Sequence, residues 1–151
     1  MTNKEYFAYC DEIINSLSRE EKERLKETIN MASCDFMGNF EIYDHLSKII
    51  PKDHTVIDFG AAYNFQSYFF KDFKRYIAVE PPCMHKEFKF GMFCPQNCEI
   101  YRMTTKEFIE TVDYPKEKVF AICNYVPNWC GQDSTKLVHD NFRNCFTFYP
   151  S

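Results

Sequence analysis

Residues Thr55 to Pro82, TVIDFGAAYNFQSYFFKDFKRYIAVEPP, constrain this chain more than any other segment. Val56, Ile57 and Phe59 form an apolar run broken only by Asp58, and Tyr76 to Val79 form a second. Each run is too short for a helix and reads as a strand buried on both faces of a parallel sheet. Between them Asn64 can cap a helix, and Phe65, Tyr68, Phe69 and Phe73 recur at spacings of three and four. That pattern packs an aromatic face on the sheet and turns Lys71, Lys74 and Arg75 outward. Strand, tight Gly60-Ala61-Ala62 turn, helix and a strand closing on Glu80 make half of a nucleotide-binding βαβ unit. In such units the turn lets the backbone approach a ligand, and an acidic residue about 20 positions on accepts hydrogen bonds from a ribose.

These residues resemble the first motif of the class I S-adenosylmethionine-dependent methyltransferases, Asp-x-Gly-x-Gly-x-Gly, followed by a second strand ending in an acidic residue. Asp58 and Gly60 match, Ala62 takes the place of the second glycine, and Asn64 that of the third. Asparagine tolerates a left-handed backbone better than most residues, so it is a reasonable substitute there. The resemblance implies that Asp58, Gly60, Ala61, Ala62 and Asn64 bind S-adenosylmethionine, with Gly60, Ala61 and Ala62 bordering its methionine part, and that Glu80 holds its ribose hydroxyls. Pro81 and Pro82 then stop the strand.

The resemblance predicts an α/β, Rossmann-like methyltransferase sheet, mainly parallel, of about five strands in the order 3-2-1-4-5. Residues 98–102 supply a third strand, and Thr104 opens a short helix carrying Phe108, Ile109 and Val112. Where the family often places an acidic residue for the adenine amino group, this chain has Met103 and Thr104, so adenine recognition is expected from backbone groups or apolar contact, with Thr104 the cofactor-binding position here. Val119 to Cys123 is the fourth strand, and the loop after it, Asn124-Tyr125-Val126-Pro127-Asn128-Trp129, faces the same crevice. Amino-group methyltransferases carry Asp or Asn, two prolines and an aromatic residue at this point. The resemblance therefore gives Asn124 and Tyr125 the catalytic positions, Asn124 accepting from the target amino group and Tyr125 stacking on the substrate. The first motif is also similar to that of the heat-shock type ribosomal-RNA 2′-O-methyltransferases, through Asp58-Phe59-Gly60-Ala61-Ala62 and Pro127-Asn128-Trp129-Cys130-Gly131. Their catalytic aspartate corresponds to Asn124, and no lysine matches their base.

The 151 residues are 45% hydrophobic, with 16 Phe and 10 Tyr, enough to fill one core. A net charge of −4 gives no strong nucleic-acid signal, and no apolar stretch reaches the roughly 20 residues that span a bilayer. With no export signal visible, the expected location is cytoplasmic and the eight cysteines are expected to be thiols. Cys83, His85, Cys94 and Cys98 fall within sixteen residues and offer a zinc reading; buried thiols in an aromatic-rich loop are the plainer account.

Residues 1–50 read as an N-terminal helical cap and 51–151 as the cofactor-binding core, together one compact domain. Three cap helices are expected: Phe7, Cys10, Ile14 and Leu17 mark the first; a capping box at Ser18-Arg19-Glu20-Glu21 starts the second, with Leu25 and Ile29; Phe40, Tyr43, Leu46, Ile49 and Ile50 mark a third, ended by Pro51. Residues 133–142 read as a helix and 144–149 as a fifth strand, left at the sheet edge with Phe146 and Phe148. Such an edge invites a homodimer. Three functions fit: a methyltransferase acting on a small-molecule or amine- or thiol-bearing substrate, a catalytically inactive relative binding the cofactor or a protein partner, and a zinc-stabilised interaction domain.

Overall fold

The computed structural model describes residues 3–61, 65–81, 98–124 and 133–148. Helix α1 (Asn3–Asn15) and helix α2 (Arg19–Ile49) precede strand β1 (Thr55–Phe59) and a 3₁₀ helix (Phe65–Phe70). Strands β2 (Arg75–Val79) and β3 (Cys98–Tyr101), helix α3 (Thr105–Thr111), strand β4 (Val119–Asn124), helix α4 (Ser134–Asn141) and strand β5 (Cys145–Phe148) follow. The strands form one sheet in the order β3-β2-β1-β4-β5, and every pairing is parallel. This is the α/β, Rossmann-like arrangement expected from the sequence.

Ser18 starts α2 as its N-cap: its Oγ accepts from the Glu21 amide at 3.1 Å and donates to the Glu21 carboxylate at 3.2 Å. The helix then runs unbroken to Ile49, so the second and third expected cap helices are one. No proline falls between 19 and 50, and Gly38 in a helix interior costs only about 1 kcal/mol, which neighbouring turns absorb. Pro51 does end it. The residue before a proline is driven to extended backbone, and Ile50 adopts φ −77°, ψ 127°.

Apolar side chains on both sheet faces build a three-layer structure. On one face Val56, Tyr76, Ala78 and Ile122 pack against Tyr43, Leu46 and Ile50 from the end of α2 and against Phe69, Phe70 and Phe73. The helical cap thus shares a core with the sheet. α1 joins it through Tyr9, whose ring stacks on Tyr68 at 4.1 Å. Phe7, expected on the apolar stripe of α1, is instead exposed. On the other face Ile57, Phe59, Ile77, Val79, Ala121 and Cys123 meet Phe108 of α3, Tyr114, and Val138 and Phe142 of α4. Phe59 lies between Phe108 and Phe142, each ring centroid 5.5 Å away. Full burial of one such ring contributes roughly 1.5–3 kcal/mol.

The segment after the first turn differs from expectation in winding. Phe65–Phe70 is a 3₁₀ helix rather than an α-helix, although Phe69, Phe70 and Phe73 do pack on the sheet. Residues 60–74 connect β1 to β2, and within them the 3₁₀ helix winds more tightly than an α-helix, rising about 2.0 Å per residue.

Candidate functional site

β1 lies between β2 and β4, and Gly60 follows its carboxyl end directly. Asp58 lies in register between Ala78 and Ile122, so these three side chains share the face covered by α2 and the 3₁₀ helix. Two residues beyond Ile122, Asn124 returns to that face by the alternation of a strand. The Gly60 amide donates to the Val79 carbonyl at 2.8 Å, and the Ala61 amide reaches the same oxygen at 3.3 Å. Gly60 is left-handed, with φ 70°, a conformation from which a Cβ is largely barred. The turn is thereby drawn onto the end of β2, where Glu80 follows directly. Glu80 is buried, and its amide extends the ladder by donating to the Tyr101 carbonyl at 3.1 Å.

An otherwise apolar face thus carries a buried polar group of side chains at one end: Asp58, Gln66, Ser67, Glu80 and Asn124. Burying polar groups costs stability unless they are bonded, so their concentration at the strand ends marks a built site. Asp58 is fully buried. Its Oδ2 accepts from Gln66 Nε2 at 2.8 Å and from the Tyr76 hydroxyl at 2.6 Å, while Oδ1 has no hydrogen-bond partner among the described residues. Burial pushes its carboxyl up to about 6, against the opposing pull of the Tyr76 and Gln66 bonds.

The structure therefore brings Asp58, Gly60, Ala61, Glu80 and Asn124 to one end of the sheet. Asp58 lies beneath the turn and braces it. Thr104 is at the end of β3, but its hydroxyl is committed to α3: it accepts from the Glu107 amide at 3.1 Å as the N-cap and bonds the Glu107 carboxylate at 3.2 Å. Ala62, Asn64 and Tyr125 lie outside the described residues. So do Cys83, His85 and Cys94, leaving of the zinc reading only Cys98, on β3 and partly buried against the α2 face. No three metal-binding side chains cluster among the described residues.

Gln66 and Tyr76 were not among the residues expected at the site. Gln66 is the one amide side chain in the aromatic run Phe65-Gln66-Ser67-Tyr68-Phe69-Phe70, and that exception was the available signal. Tyr76 reads as apolar strand, and only its register beside Val56 exposes its hydroxyl to Asp58.

Two cavities open at the opposite, amino-terminal ends of the strands. One of about 590 Å³ is lined by Lys48, Lys52, Tyr68 and Lys71, another of about 330 Å³ by Tyr114, Lys118 and Phe142. Ligands of open α/β sheets bind at the carboxyl ends, so neither cavity displaces the Gly60 site. Two lysines of the larger one are also engaged, Lys48 with Asp44 at 2.8 Å and Lys71 with the Tyr68 hydroxyl at 3.0 Å.

No protein-family model matches the sequence, and no curated protein matches it. Among the described residues no helix is long and apolar enough to cross a membrane.

Proposed function

We propose that the chain is a cytoplasmic S-adenosylmethionine-dependent methyltransferase, or a close functional relative that binds the same cofactor. The observation that carries this reading is the junction of Gly60 with the end of β2. A left-handed glycine at the head of β1, bonded to Val79, stands beside a buried carboxylate, Glu80, in a sheet ordered β3-β2-β1-β4-β5. The donor set fits a nucleoside cofactor: Glu80 supplies the acceptor that ribose hydroxyls require, and Gly60 leaves no side chain where a ligand would approach.

When bound, the cofactor supplies an electrophilic methyl group. The protein's part is positioning, which provides much of the rate of an in-line displacement. Glu80 orients the ribose; Asn124, at the end of β4, accepts from the nucleophile; Ala61 and the buried ends of the strands exclude water. A small substrate bearing an amine or thiol fits best, since such nucleophiles need little help from a strong base. Homodimer formation along the outer edge of β5 is part of the proposal, because Cys145-Phe146-Thr147-Phe148 carries no charge to oppose pairing. One observation favours the alternative of binding without turnover: Thr104, the side chain expected near the adenine, is spent on the cap of α3.

Calorimetric titration with S-adenosylmethionine and S-adenosylhomocysteine, using Glu80→Gln as control, tests the reading. Micromolar binding that weakens by about tenfold or more in the variant supports it. Absence of binding to both ligands rejects it, and binding without methyl transfer to any small amine or thiol selects the alternative.

A further inference from the structure

The Gly60 turn is held from below by a fastener that no motif specifies. Gln66 Nε2 donates to Asp58 Oδ2 at 2.8 Å and to the Ala61 carbonyl at 2.7 Å, so both hydrogens of one amide nitrogen are used. The Tyr76 hydroxyl donates to the same Asp58 oxygen at 2.6 Å. Asp58, Ala61 and Tyr76 are fully buried, and Gln66 is 6% exposed. Three separate elements, β1, β2 and the 3₁₀ helix, are joined at one carboxylate oxygen.

We propose that Gln66 is a positioning residue for cofactor binding: oriented by Asp58 and Tyr76, it fixes the Ala61 carbonyl and with it the backbone along which the methionine end of the cofactor lies. This role rests on the methyltransferase reading above. The geometry shows why the turn needs a second hold. Gly60 has the widest backbone freedom of any residue, and of the two amide bonds to Val79 the one from Ala61 is long, at 3.3 Å. The weak bond holds only the peptide before the Ala61 Cα; the peptide after it, which carries the Ala61 carbonyl, is held by Gln66. The orientation of Gln66 is in turn dictated. Gln66 Nε2 faces the Ala61 carbonyl, which can only accept, as well as Asp58 Oδ2, so the side chain must present its NH₂ rather than its carbonyl at this point. Packing of the stacked Phe70 and Tyr76 rings, 5.3 Å apart, keeps the hydroxyl on Asp58 and closes the site to water.

Gln66→Met keeps the length of the side chain and removes both donors. Amide exchange of the ligand-free protein, followed by NMR, reads the fastener alone: exchange at Gly60 and Ala61 should quicken by about tenfold while Ile57 and Ala121 stay unchanged. A uniform increase throughout the sheet, or no change at the turn, overturns it. Titration with S-adenosylhomocysteine reads the positioning role, with an expected loss of about tenfold in affinity. If exchange quickens locally but affinity is unchanged, Gln66 holds the fold and not the ligand. If the unsubstituted protein binds no cofactor, the reading of the site fails, and the exchange result shows that failure to be separate from the fastener. Tyr76→Phe, which deletes one hydroxyl, is the second variant if Gln66→Met does not fold; the same local change at Gly60 and Ala61 is expected, and its absence overturns the proposal.

Discussion

The Gly60 amide meets the Val79 carbonyl at 2.8 Å while Gly60 itself stands at φ 70°. The left-handed backbone of Gly60 turns the next amide, that of Ala61, back onto the same carbonyl at 3.3 Å, so the doubly bonded turn depends on this dihedral angle. Placing a Cβ there costs about 1–2 kcal/mol. Gly60→Ala is therefore expected to lower the urea-unfolding free energy by that amount, and Gly60→Asn by less, since asparagine accepts the conformation more readily. Equal losses in the two variants would show that steric bulk, not backbone geometry, decides this position.

Asp58 links stability to pH in an uncommon direction. Burial raises its carboxyl from 3.8 to about 6, so between these values the folded protein keeps a proton that the unfolded chain has released. The contribution of this group is thus fully present below the lower value and is lost as pH rises through the upper one, a cost of about 3 kcal/mol at neutral pH. Asp58→Asn removes the titration. Denaturation at a series of pH values should show the variant gaining on the unsubstituted protein from pH 4 toward pH 7 by roughly that amount. Parallel curves would mean that Asp58 titrates alike in both states.

Much of this fold is legible because buried parallel strands announce themselves as short apolar runs, as Val56 to Phe59, Tyr76 to Val79 and Val119 to Cys123 do. The helix starts at Ser18 and Thr104 were equally plain, each bonding an amide three residues ahead, and Asp133, read as the first residue of its helix, is the cap of α4. What the sequence conceals is continuity and pairing. Separate apolar clusters around Leu25 and Phe40 suggest two helices, yet no residue between them forbids one, and the single α2 results. The 3₁₀ winding of Phe65–Phe70 is likewise not encoded by the three- and four-residue spacing of its aromatics, which an α-helix would satisfy as well. At the site, Gly60 and Glu80 are visible as a motif. The bond from Gln66 to Asp58 is not, because their adjacency arises only when the 3₁₀ helix folds back over β1.

Three described thiols differ in exposure, and their chemistry should differ accordingly. Cys123 is buried in β4, and burial pushes its thiol up to about 12, so almost no thiolate forms at ordinary pH. Cys98 and Cys145 are only partly buried, although burial raises Cys145 as well. Alkylation with iodoacetamide at pH 8, resolved by peptide mass spectrometry, is expected to modify Cys98 and Cys145 well before Cys123. Early labelling of Cys123 would indicate that β4 opens locally without global unfolding.

Thr104 offers a way to separate support of the fold from contact with a ligand. Its hydroxyl accepts from the Glu107 amide, and its own proton goes to the Glu107 carboxylate, which also returns favourable charge to the first turn of α3. Removing such a cap costs about 1 kcal/mol, with a range of roughly 0.5–2. Thr104→Ala should therefore lower the unfolding free energy by about that much. Thr104→Ser, which retains the oxygen, should recover most of the loss. Affinity for S-adenosylhomocysteine should be the same in all three proteins, because a hydroxyl engaged in the cap has no hydrogen left to offer an adenine. A fall in affinity with Thr104→Ala that Thr104→Ser restores, measured under conditions where both are fully folded, would instead place Thr104 against the ligand and require the cap to open on binding.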